Sequence, residues 1–80
     1  MSDPVNQPEH YNLGGIECIE AIEASLSAEA FQGYLKGNAI KYLWRWDKKN
    51  QEPNLQVQDL NKANWYLQRL TEEVKAAIEE

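Results

Sequence analysis

GYLKGNAIKYLWRW, running from Gly33 to Trp46, places Tyr, Leu, Ile and Trp at helical spacings but sets two glycines, an asparagine, two lysines and an arginine among them. Phe31, Leu35 and Tyr42 fall on one side of a 3.6-residue helix, and Ile40, Leu43 and Trp44 on another. This pattern predicts a central helix contacted on several sides. Gly33 and Gly37 each cost about 1 kcal/mol relative to Ala in a helix interior. At a spacing of four they share a face, where the missing side chains admit either a tightly packed helix or a ligand.

Outward from this stretch, Ser27 is a candidate N-cap with Glu29 in the first turn, and no proline interrupts the chain before Lys49, so a helix is expected over 28–49. Upstream, GIECIEAIEASL sets Ile16, Ile19, Ile22 and Leu26 against Glu17, Glu20 and Glu23, which predicts a short amphipathic helix over 16–26 with Cys18 on its apolar face. Residues 1–15 are rich in Pro, Asn and Gly and read as an extended arm. Downstream, KKNQEPN is a polar linker, and Asn54 can cap a helix over 55–78. That helix carries Leu60, Ala63, Leu67, Leu70, Val74 and Ala77 at alternating spacings of three and four, a heptad-like seam for another helix. The expected fold is all-α: a single domain over 1–80 with an N-terminal arm, a short helix, and two longer helices packed as an antiparallel hairpin. At 80 residues such a hairpin is marginal alone, so a homo-oligomer is expected.

The net charge of −5 is unevenly spread: residues 1–30 carry −6, residues 31–50 carry +4 and residues 51–80 carry −3. An acidic chain is a poor ligand for long DNA or RNA, where affinity grows with the number of phosphates neutralised. A local basic site for one small anion fits better. No apolar run reaches the length of a membrane span, and MSDPVNQPEHYN lacks the basic and apolar regions of a signal peptide. The single cysteine suits a reducing cytoplasm. His10 is the sole histidine and has no Cys/His spacing around it, so no metal site is expected. GxxxxGK[ST] is absent, and with it a P-loop.

Asn38, Lys41 and Arg45 lie at i, i+3 and i+7, with Lys48 continuing the stripe. Asp59, Lys62, Tyr66 and Arg69 form a second stripe, one residue ahead of the apolar seam. Packed through that seam, the two helices can border one groove with both stripes. Guanidinium and ammonium groups there suit phosphate oxygens, Asn38 suits a base edge or sugar hydroxyl, and Tyr or Trp faces suit stacking. The alternative is a solvated face tied by pairs such as Asp59 with Lys62.

PEHYNLGGIECIEAIE, FQGYLKGNAIKYLWRW and DLNKANWYLQRL together resemble a small bacteriophage family called SaV-like, a domain of unknown function. The likeness covers roughly residues 8–70 and rests on Pro8, His10, Tyr11, Gly15, Ile16, Glu17, Gly37, Asn38, Lys41, Tyr42, Arg45, Asp59, Leu60, Lys62, Ala63, Trp65, Tyr66 and Leu67. Members are often described as nucleotide kinase-like, which implies nucleotide chemistry in the cytoplasm of an infected bacterium.

These observations lead to the expectation of a phage accessory protein that binds a nucleotide or related phosphorylated ligand between helices or subunits, without a cofactor. Sequestration of a host immune signal is one use of such binding. Lys41, Arg45, Lys62 and Arg69 are the phosphate candidates and Asn38 the base or ribose candidate. His10, Tyr11, Tyr42, Trp65 and Tyr66 are positioned to stack or close the site, and Glu17 and Asp59 to orient its basic groups. Two alternatives stand beside it: a deoxynucleoside monophosphate kinase using ATP and Mg²⁺, and an interaction module that inhibits a host protein.

Overall fold

The computed structural model describes residues 12–13 and 16–79. Two short extended segments, β1 (Asn12–Leu13) and β2 (Ile16–Glu17), precede three helices, α1 (Cys18–Ser25), α2 (Ala28–Lys49) and α3 (Pro53–Glu79). β1 and β2 pair antiparallel, Asn12 opposite Glu17 and Leu13 opposite Ile16. The pairing holds Glu17 in an extended conformation, φ −75° and ψ 147°, so α1 starts at Cys18 and not at Ile16. Cys18 is exposed and does not fill an apolar face.

Helix α1 buries none of its residues fully. It ends where the backbone of Leu26 becomes extended, its N–H donating to the Glu23 carbonyl at 3.3 Å. Ser27 caps α2: its Oγ accepts from the Ala30 N–H at 3.1 Å. Glu29 in the first turn and Lys48 and Lys49 in the last complement the helix dipole at both ends. Helix α3 begins two residues earlier than its apolar pattern suggests. Pro53 occupies the first helical position, where its fixed φ and missing N–H cost nothing, and the N–H groups of Leu55 and Gln56 both donate to the Glu52 carbonyl at 3.1 Å. Asn54 therefore lies inside the helix and is not its cap.

Helices α2 and α3 form an antiparallel hairpin, with side-chain contacts running from Arg45 against Asp59 near the turn to Phe31 against Arg69 at the far end. Its core holds Phe31, Leu35, Ala39 and Ala63 together with a buried carboxylate, Asp59. The expected seam is out of phase with this contact. Of its members only Ala63 is buried, while Leu60, Leu67, Val74 and Ala77 are exposed and Leu70 is half-buried. The stripe that meets α2 is centred on Asp59, Ala63 and Tyr66: Asp59 and Ala63 are buried and Tyr66 packs on Tyr34 and Tyr42. Helix α2 likewise touches α3 along one side, leaving Ile40, Leu43 and Trp44 exposed.

The phase sorts the remaining side chains. Lys41, Lys62 and Trp65 each precede a contact residue, Tyr42, Ala63 and Tyr66, and so stand about 100° to one side of the contact line. Ile40, Leu43, Leu60 and Leu67 each follow one, Ala39, Tyr42, Asp59 and Tyr66, and stand about 100° to the other side. On antiparallel helices the same sense of rotation leads to the same side of the hairpin. One side therefore gathers cationic and aromatic groups, and the other carries these aliphatic side chains, flanked by Gln32, Lys36, Asn64 and Thr71.

Candidate functional site

The cationic side is organised around Tyr42, half-buried on α2. Its ring lies parallel to Tyr66 of α3, with centroids 6.0 Å apart and planes 8° off parallel. The Lys41 ammonium is 4.6 Å from the Tyr42 ring centre, the Arg45 guanidinium 4.6 Å and the Lys62 ammonium 5.4 Å. Three cations from two helices thus share one aromatic ring, each held by attraction to the ring quadrupole. Tyr34 and Trp65 both approach Tyr66 edge-on, at 6.3 Å and 5.1 Å, so the stacked pair sits in an aromatic frame continued by Phe31 beside Tyr34 at 6.0 Å.

The cations differ in what already satisfies them. Arg45 Nε donates to Asp59 Oδ2 at 3.3 Å, and Asn50 Nδ2 donates to the same oxygen at 3.1 Å. These two donors make a carboxylate only 3 % exposed tolerable, since an unpaired buried charge is costly. Gln56 Nε2 in turn donates to the Asn50 carbonyl at 3.0 Å, which ties the α2–α3 turn to the first turn of α3. Asp59 therefore fixes Arg45, and the anticipated partner Lys62 is left to Tyr42. Among the described residues no carboxylate lies within ion-pair distance of Lys41 or Lys62.

Other expected site residues are placed differently. Arg69 is bound by Glu23 at 2.9 Å and Glu73 at 3.1 Å and stands over Phe31 at 5.5 Å, so it fastens α1 to the hairpin instead of offering an open fork. Trp65, Gln68, Arg69 and Glu72 line a shallow depression of about 300 Å³ beside it. Asn38 Nδ2 donates to the Tyr34 carbonyl one turn back, at 2.9 Å, which holds its side-chain amide against its own helix. Glu17 is half-buried at the start of α1 and caps nothing with its side chain. Lys48 bonds the Trp44 carbonyl at 3.1 Å and leaves the stripe. His10 and Tyr11 lie outside the described residues. Two further contributors, Asn50 in the polar linker and Tyr34 on α2, carry no motif or spacing that marks them.

Among the described residues nothing packs against the two glycines: a Cβ added at Gly33 or Gly37 meets nothing within 4 Å. Among the described residues no helix is long and apolar enough to cross a membrane.

Comparison with known proteins places these features in a family. The gene 1.7 protein of Enterobacteria phage T3 is 43% identical over 67 residues, which is 82% of this chain and 40% of that protein. The protein of Escherichia phage T7 named nucleotide kinase gp1.7 is 44% identical over 63 residues, 78% of this chain and 32% of that protein. The chain thus spans well under half the length of either phage relative. No solved structure matches it. Residues 5–68 match the model of DUF3310, described as a protein of unknown function; the match carries that description and not the SaV-like label. The chain belongs to the DUF3310 family, with relatives in bacteriophages T3 and T7.

Proposed function

We propose that the cluster around Tyr42 binds a nucleotide or a related phosphorylated ligand, inside an infected bacterial cell. The observation that carries this reading is the convergence of Lys41, Arg45 and Lys62 on one tyrosine ring, with no carboxylate paired to either lysine among the described residues. A chain of net charge −5 concentrates cations there although its own acids are plentiful. Held only by a ring face, an ammonium exchanges that contact for a charge-assisted bond to a phosphate oxygen at little cost. Arg45, fixed through Nε by Asp59, keeps its terminal nitrogens for the same anion, and Trp65 at the edge of the aromatic frame supplies a face for a base. The name of the T7 relative supports a nucleotide as the ligand class.

Losing one charge-assisted bond typically costs about 1.5–3 kcal/mol, so Lys41→Ala or Lys62→Ala should weaken binding by about 10- to 100-fold. Titration calorimetry against mono-, di-, tri- and cyclic nucleotides tests this. Full affinity in the Lys41→Ala/Lys62→Ala double variant would refute the assignment.

The same name favours a second reading, phosphorylation of a deoxynucleoside monophosphate. That chemistry holds donor and acceptor in line, usually with Mg²⁺ between carboxylate and phosphates. Asp59, the buried carboxylate of the cluster, is already occupied by Arg45 and Asn50, so binding without turnover is the reading favoured here. Incubation with ATP, Mg²⁺ and each monophosphate separates the two, since only a kinase yields a diphosphate.

A further inference from the structure

Among the described residues, nothing buries the aliphatic side of the hairpin. Ile40 and Leu43 on α2 are 52% and 56% exposed, and Leu60, Leu67, Val74 and Ile78 on α3 are 36%, 53%, 42% and 78% exposed. By contrast, among the described residues only Phe31 and Leu35 are large side chains fully removed from solvent. The exposed residues are not scattered. Leu60, Leu67 and Val74 repeat every seven residues, the spacing of a seam that packs knobs into holes of another helix. Helix α2 does not fill that seam, because it lies against Asp59, Ala63 and Tyr66 instead.

We propose that a second copy of this chain covers this side, so that two α2–α3 hairpins form a four-helix bundle with Leu43, Leu60 and Leu67 at its centre. Area favours this occupant. Helix α2 is about 33 Å long at 1.5 Å per residue, and two helices with axes about 9 Å apart present a face about 20 Å wide. The product, roughly 700 Å², approaches the roughly 800 Å² that each partner of a standard stable interface buries. A single docked helix would cover about half of it. A two-fold pair is self-complementary by construction, and two hairpins are the simplest way to complete a four-helix core. The cationic side faces away from this contact, so the assembly leaves Tyr42 and its lysines open and stands or falls independently of ligand binding.

Sedimentation equilibrium of the full chain tests the proposal. The expected result is a species of twice 9.3 kDa, lost in Leu43→Glu/Leu67→Glu while helicity by circular dichroism is retained. A wild-type monomer at high micromolar concentration would overturn it, as would a dimer untouched by the double substitution. Because charged variants can unfold a small protein, a second measurement uses Leu67→Cys in a Cys18→Ser background. Its thiol should lose reactivity as protein concentration rises, while Asn61→Cys, which turns away from that side, stays reactive. Equal and constant reactivity at both positions would also overturn the proposal.

Discussion

The two sides of the α2–α3 hairpin are built from neighbouring residues and behave as opposites. Lys41 and Leu43 flank the same Tyr42, and Trp65 and Leu67 flank the same Tyr66, yet one member of each pair joins a cation–aromatic cluster and the other an open aliphatic face. Two residues of helical phase, about 200°, separate a surface that suits an anion from one that suits an apolar helix. The line between them is narrow: Phe31, Leu35, Ala39 and Ala63 are its buried apolar residues, and Asp59 is satisfied there by Arg45 and Asn50. So little core leaves side chains on both sides of the two-helix unit at the surface.

That comparison can be broken at the line itself. Leu35→Ala removes the side chain with the least exposure, 0%, and should cost about 2–5 kcal/mol by combining lost transfer energy with a cavity. Urea denaturation followed by circular dichroism reads it, and a change below about 1 kcal/mol would mean that the hairpin is not held at this line.

Next in size is the polar end of the same line. Asp59→Ala leaves Arg45 and Asn50 without their shared acceptor and should cost about 1–3 kcal/mol, discounted from a fully buried pair because the Arg45 side chain is 29% exposed. Lys41→Ala, one turn away from Arg45, should leave the denaturation midpoint unchanged while lowering nucleotide affinity. If both variants moved stability equally, the cationic side would be a structural network and not a binding surface.

Smaller still are the glycines. Since an added Cβ is unobstructed at both positions, Gly33→Ala and Gly37→Ala should each stabilise the protein by about 0.5–1 kcal/mol through helix propensity and reduced unfolded-state entropy. Thermal melts read the gain. A loss of stability would place another backbone against α2 in the assembled protein, and a gain with loss of nucleotide binding would give the glycines to the ligand.

Much of this arrangement was legible from residues. Ser27 announced the start of α2 because a hydroxyl ahead of an acidic first turn has few other uses, and the distribution of charge marked 31–50 as the basic segment before any contact was known. The phase of α3 was not legible, for a physical reason. Leu60, Ala63, Leu67, Leu70 and Val74 give a strong apolar period, and a period reports which face seeks burial without saying what buries it. The residues that meet α2 include Asp59 and Tyr66, which count as polar in any such reading, and Asp59 enters the contact only because Arg45 and Asn50, 14 and 9 residues away in sequence, both donate to it. The continuation of the extended segment to Glu17 was hidden similarly: a two-residue ladder with Asn12–Leu13 outcompetes the first half-turn of a helix whose pattern alone begins at Ile16.

Native mass spectrometry of the protein with pooled mono-, di-, tri- and cyclic nucleotides, run beside Lys41→Ala/Lys62→Ala, decides whether the Tyr42 cluster is a nucleotide site. The account predicts a stoichiometric nucleotide adduct on the wild-type protein and none on the double variant, both with the same helicity. An unshifted wild-type mass under every condition, or an identical adduct on both proteins, would contradict the assignment of the Tyr42 cluster.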